Sequence, residues 1–198
     1  MSVVEVISQA DGRGLAVSGL ACLDRCVPLL CADDEVLRPL WTGLANEGRG
    51  WGEGLDSARS APAGPGTAVD ADLVEAAELA RTMLDEAPAE LLPYLEGTAG
   101  ASARGPLYAW ADACSTAALE IHRLLSGTSD ATWSVTATRE GSAHGTVPLV
   151  AAELRRQKQI LGLLSDPAPG ALRRALDLTT EGRHVVRAVV SRRARARA

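Results

Sequence analysis

The chain has 198 residues, 46% of them hydrophobic and only 3% aromatic, and a formal charge of −5. That length suits one compact domain with a substantial core, and the apolar content excludes a fully disordered chain. The acidic balance excludes a dedicated basic nucleic-acid binder.

Ala and Leu dominate the sequence, Phe is absent and strand-favouring residues are scarce, which predicts an all-α protein with a core of Leu, Val and Ala. Residues 1–11 read as a flexible lead-in. From Gly12 to Cys31 the apolar positions Ala16, Leu20, Leu23, Val27 and Leu30 recur at steps of 4 and 3, one face of a helix that Pro28 should kink or end. Asp33 and Asp34 offer a cap and a first-turn acid to a second helix with the face Leu37, Leu40, Trp41 and Leu44. Residues 46–68 are rich in Gly and Pro and predict a long mobile loop, an insertion within one domain.

Asp70 caps a third helix with the face Leu73, Ala77, Ala80 and Leu84, closed by Pro88 and followed by a short helical piece over 89–95. Gly97 to Gly105 reads as a small-residue loop, and Pro106 sits in the first turn of a central helix. That helix has the cleanest period in the chain: Leu107, Trp110, Cys114, Ala117, Ile121 and Leu124, with Gly127 at its end. Ser129 to Thr138 predicts a weaker helix anchored by Trp133, and Gly141 to Gly145 a turn. A sixth helix starts at Thr146 and Pro148, with the stripe Val150, Leu154, Leu161 and Leu164 interrupted by Gln157. After the Asp166–Gly170 breaker, a last helix starts near Ala171 and runs through Val186 and Val189, weakened by Gly182. The expected architecture is an all-α, single-domain bundle of six or seven helices over 12–190 with a long glycine-rich loop. A basic tail over 191–198 should fray.

Charge divides along the chain. Residues 1–182 hold 14 Lys and Arg against 25 Asp and Glu, a charge of −11, whereas residues 183–198 hold six Arg and no acid, +6. The start of the chain lacks the basic and apolar regions of a secretory signal, and no stretch approaches the roughly 18 apolar residues of a membrane span. The expected location is cytoplasmic, with Cys22, Cys26, Cys31 and Cys114 as reduced thiols.

The order of several motifs resembles a family of small helical bacterial proteins of unknown function typified by YjaG. Leu23-Asp-Arg-Cys-Val-Pro28 resembles its opening arginine-then-proline motif, and Leu37-Arg-Pro-Leu-Trp41 with Leu44 its second helix. Asp112-Ala-Cys114 running on to Leu124-Leu125 is similar to its central helix. Pro148-Leu149, Glu153, Gln157, Leu172-Arg173 and Glu181-Gly182 resemble its C-terminal third. The chain departs from that pattern after Pro28, where Leu29, Leu30 and Cys31 replace aromatics, and after Gly182, where Arg183-His184-Val185-Val186 follow. The resemblance implies an all-helical bundle and no particular reaction.

Candidate chemistry is sparse. Cys22 and Cys26 share a helix face, but no matching ligand pair exists elsewhere, so they read as small apolar residues rather than a metal site. Glu181 and His184 have the spacing used in helical di-iron sites, without the second copy such a site needs. His122, His144 and His184 lack a nucleophile and an orienting partner, so no catalytic residue, metal or cofactor is predicted. The glycine run 48–54 lacks the Gly-Lys-Ser/Thr end of a phosphate loop. Trp51 within it either folds back on the body or anchors a partner.

Glu153 and Gln157, one turn apart, face the central helix near Trp110 and Cys114. These four line a candidate small-molecule pocket, or Glu153 and Gln157, together with Arg156, form a buried polar network that fixes helix register. Arg192 and Arg193 in the basic tail, with Trp51, are candidate partner contacts. The expected function is a non-enzymatic accessory or immunity-type protein working through protein contacts, with self-association among the options and no nucleic acid or membrane as partner. A small-molecule binder or enzyme of specialised metabolism is the alternative.

Overall fold

The computed structural model describes residues 1–31, 33–62, 70–97, 104–128, 132–142, 144–165 and 168–196. Over these residues the protein is all-α. The helices are α1 (Val3–Gln9), α2 (Gly12–Arg25), α3 (Val27–Leu30), α4 (Arg38–Ala45), α5 (Trp51–Arg59) and α6 (Ala71–Asp85). They continue as α7 (Leu92–Leu95), α8 (Arg104–Ser126), α9 (Val135–Glu140), α10 (Pro148–Ser165) and α11 (Ala171–Ala196). No helix among the described residues is long and apolar enough to cross a membrane.

The organising element is α2. Every residue from Gly14 to Arg25 is buried, not only the Leu and Val stripe. Gly14, Ala16, Ser18, Gly19, Ala21 and Cys22 are small enough for neighbours to close in on all sides, and a helix without a solvent face belongs at the centre. Helices α8, α11, α10, α4, α6 and α7 pack around it. One hydrophobic cluster runs from Val3 to Val189. One close approach is at Gly19, where an added Cβ would lie 2.5 Å from the Trp110 ring. That ring is fixed in turn by its Nε1, which donates to the Met83 carbonyl at 2.8 Å.

Among the described residues eleven helices stand where six or seven were expected, for physical reasons that can be named. The lead-in over 1–11 is helix α1, closed by a reciprocal capping box between Ser2 and Glu5 and seated by the fully buried Val3 and Ile7. The helix expected over 12–31 breaks at Cys26, and Pro28 lies in the first turn of the separate α3. Within the segment expected as a mobile loop over 46–68, residues 51–59 form α5. It buries Trp51, Leu55 and Ala58 at helical spacing, and these contacts outweigh the poor propensity of Gly52 and Gly54. Gly54 lies against Pro39 and Leu40, where an added Cβ would meet Pro39 Cβ at 3.0 Å, so the glycine allows α4 and α5 to close. The 63–69 part of that expected loop lies outside the described residues.

The tail expected to fray from 191 is helical to Ala196. Arg193 holds it, with its guanidinium 3.3 Å from both Asp70 and Asp72 at the start of α6 and 2.8 Å from the Leu124 carbonyl. Asp70 stands at the N-cap of α6, as expected, but its side chain makes no capping bond there and pairs with Arg193 instead.

Gly19→Ala should destabilise the protein. The overpacking cost of up to about 3 kcal/mol exceeds the gain of about 1 kcal/mol in helix propensity, a net loss of about 2 kcal/mol. Gly162→Ala in α10, where nothing lies within 4 Å of the added Cβ, should instead gain about 0.5–1 kcal/mol. Urea denaturation of both variants measures the opposite signs.

Candidate functional site

The C-terminal end of α2 places Asp24 and Arg25 side by side in the interior, 1% and 0% exposed. Adjacent helix residues diverge by about 100°, so the two charges face different neighbours. Arg25 faces α10 and forms a two-point pair with Glu153: Nε to Oε2 at 2.8 Å and Nη2 to Oε1 at 2.5 Å. Nη2 also lies 3.4 Å from Cys22 Sγ. Glu153 Oε1 further accepts from Gln157 Nε2 at 3.0 Å. Gln157 is held by α8, accepting from Ser115 Oγ at 2.7 Å and donating to the Ser115 carbonyl at 3.2 Å. Gly182 of α11 leaves room for the arrangement, since a Cβ there would fall 2.3 Å from Arg25 Cδ.

His122 completes this cluster from α8. Its Nδ1 lies 2.7 Å from the Ala118 carbonyl, which can only accept, so the proton of the neutral ring belongs on Nδ1. Its Nε2 lies 3.6 Å from Glu153 Oε2, outside hydrogen-bond distance. Burial, opposed by the Glu153 charge, lowers the His122 pKa and favours the neutral ring. Burial alone would raise the Glu153 pKa, but the Arg25 charge, then His122 and the hydrogen bonds, hold it down at about 2. The site is therefore a carboxylate locked between two helices.

Asp24 faces α4 and α11. One oxygen accepts from Trp41 Nε1 at 2.8 Å and the other from Arg183 Nη1 at 2.8 Å. Arg183 also donates to the Asp34 carbonyl at 2.6 Å, and Arg187 pairs with the Asp34 carboxylate. Burial pushes the Asp24 pKa up against the pull of Arg183 and of the Trp41 bond.

Trp110, Cys114, Glu153 and Gln157 are all buried, at 3%, 0%, 0% and 1% exposure. The last two belong to the polar network. Trp110 donates to Met83 and packs edge-on against Trp51, centroids 6.3 Å apart. Burial pushes Cys22 up to about 12, and raises Cys26 and Cys114 well above the usual thiol range. These are packed, protonated thiols rather than nucleophiles.

Trp51 is 1% exposed and donates from Nε1 to the Pro88 carbonyl at 2.8 Å, so it folds back on the body and is not an exposed anchor. Of the two tail candidates, Arg192 is exposed, whereas Arg193 is committed to Asp70 and Asp72. Glu181 and His184 are both exposed, and no metal-binding group of three His, Cys, Asp or Glu occurs among the described residues.

Sequence reasoning singled out Glu153 and Gln157 but missed Arg25, Ser115 and His122, which join them, and the Asp24–Trp41–Arg183 set. The available signal was the Asp24-Arg25 pair inside an otherwise apolar run, since buried charges require partners. No family model matches the chain, and neither does any curated protein or solved structure compared with it.

Arg25→Met should cost about 3–5 kcal/mol, because it strands Glu153. The double variant with Glu153→Leu should cost less than the sum of the two singles, and a double-mutant cycle in urea measures that coupling. Stability should also fall on acidification. A histidine with a lowered folded pKa contributes fully above its unfolded value near 6.5 and loses that contribution as the pH drops below it. Glu153 adds a further loss as the pH falls below its unfolded value of about 4.5 towards about 2. Thermal unfolding from pH 7 to 5 should therefore show a positive slope of stability with pH that His122→Gln reduces.

Proposed function

We propose that this protein works by contact with another protein rather than by catalysis, through the acidic outer face of α5 and α6, and that the partner offers a basic segment. The observation that carries this reading is the solvent stripe Glu75, Glu78, Asp85 and Glu86 along α6, beside exposed Glu53 and Asp56 of α5. The α6 acids stand at helical spacing, with Arg81 between Glu78 and Asp85, whereas Glu153, Asp24 and Asp70 are committed to internal arginines. A concentrated field of one sign speeds the encounter with a complementary partner and rejects like-charged ones.

The buried polar residues support the same reading, because the groups best suited to acid–base chemistry are consumed in holding α2, α8 and α10 together. The wider picture we infer is one cytoplasmic domain, of the small helical kind its motif order resembles. A second copy is one available partner, since Arg192 and Arg195 at the end of α11 are exposed and of opposite sign.

Fluorescence anisotropy with a labelled arginine-rich helical peptide tests the surface at about 0.15 M ionic strength, where charges are screened beyond about 8 Å. Saturable binding should weaken about tenfold or more in a Glu78→Lys, Asp85→Lys variant. Binding unchanged by the variant, or absent from the parent, would overturn the proposal. Light scattering of the same samples reports whether the protein also associates with itself.

A further inference from the structure

We propose that the cleft between the α1–α2 corner and the α10–α11 corner binds a small amphipathic carboxylate, a monoanion with a short apolar tail. The cleft has a volume of about 580 Å³ and is partly enclosed. That falls within the range of about 300–1,000 Å³ typical of small-ligand sites. It lies away from the Glu153 cluster and from the acidic face of α5 and α6, so it goes beyond the function proposed above.

The two walls differ in chemistry. Leu161, Leu164 and Leu172 supply an apolar wall from the end of α10 and the start of α11. Leu164 and Leu172 remain only half-buried although they pack against the core, so the wall keeps apolar area that a tail would cover. The opposite wall is the first turn of α2, with Asp11, Arg13 and Gly14. Asp11 is occupied there, since its Oδ1 accepts from the Gly14 amide at 2.7 Å as the helix cap. Arg13 is exposed and makes no hydrogen bond or ion pair among the described residues, unlike Arg25, Arg183, Arg187 and Arg193.

An arginine fork above an apolar wall fits one planar carboxylate and a hydrocarbon tail. The first turn of α11, a helix of 26 residues, borders the same cleft and adds positive potential, whereas the α2 end is offset by the Asp11 carboxylate that caps it. A polyanion finds one guanidinium there and an apolar surface it would have to desolvate, so a monocarboxylate is the matching charge class.

Sodium octanoate is the probe, titrated into the full chain and followed by amide chemical shifts. Saturable shifts should centre on Gly14, Leu161 and Leu172. Arg13→Gln should weaken binding about tenfold without changing the circular dichroism, because Arg13 carries no internal contact. Leu164→Glu, which removes apolar wall and repels the carboxylate, should abolish binding. 1-Octanol should bind less tightly than octanoate, and acetate, with no tail, should give no saturable shift. Octanol binding as tightly as octanoate, an Arg13→Gln variant with unchanged affinity, or shifts centred elsewhere would each overturn the assignment. None of these readouts involves the acidic face, so a failure here is distinguishable from a failure of the protein-contact reading.

Discussion

The fold depends on burying two opposite charges, Asp24 and Arg25, next to each other at the end of a helix with no solvent face. Neither can be left alone in the interior, because desolvating an isolated ion costs several kcal/mol. Their side chains point to different neighbours, and each therefore fixes a different part of the bundle. Arg25 sets the rotation of α10 through Glu153, and Asp24 sets α4 through Trp41 and α11 through Arg183. The rest of α2 is Gly, Ala, Ser, Cys and Leu, a surface that permits close packing but discriminates poorly between one register and the next. The paired charges supply the discrimination, because a helix sliding by one turn would leave a carboxylate or a guanidinium unmatched.

The same logic explains the basic end of the chain. In sequence the acidic body and the arginine-rich tail are separate blocks. In the fold, Arg183, Arg187 and Arg193 reach back to Asp24, Asp34 and the Asp70–Asp72 pair, stitching α11 along its length to the body. Acidic side chains of α5 and α6 and the arginines Arg192 and Arg195 at the end of α11 stay exposed. The overall charge of −5 is thus the residue of an internal cancellation, and its placement on the surface matters more than its size.

The sequence shows the helical class and the long helices clearly. The period of α8 is honoured at Leu107, Trp110, Cys114, Ile121 and Leu124, all buried, because a regular amphipathic stripe leaves one way to pack. Gln157 within the α10 stripe and Glu153 one turn before it also read correctly as polar residues turned inward. The short helices were harder to see. Ser2 and Glu5 spell a capping box ahead of α1, and Trp51, Leu55 and Ala58 keep helical spacing through the glycine run, but in both places composition points the other way. The charged partners were out of reach for a different reason. Arg25 meets Glu153 across 128 positions and Arg183 meets Asp24 across 159, and nothing local encodes which acid a buried arginine will find.

Those separations bear on how the chain is made. During synthesis α2 precedes its partners: the groups that neutralise Arg25 and Asp24 are translated only after another 128 and 159 residues. A nascent chain that stopped short of Glu153 would hold Arg25 without its carboxylate and Asp24 with only Trp41, so the α10 and α11 sides of α2 have no matching charge until those segments are made. The faces of α2 that meet α10 and α11 stay uncovered until those helices arrive, and closing loops of that length carries an entropic cost that contacts must offset. Those two faces are then covered last, and the interval before is when a chaperone has the most to hold.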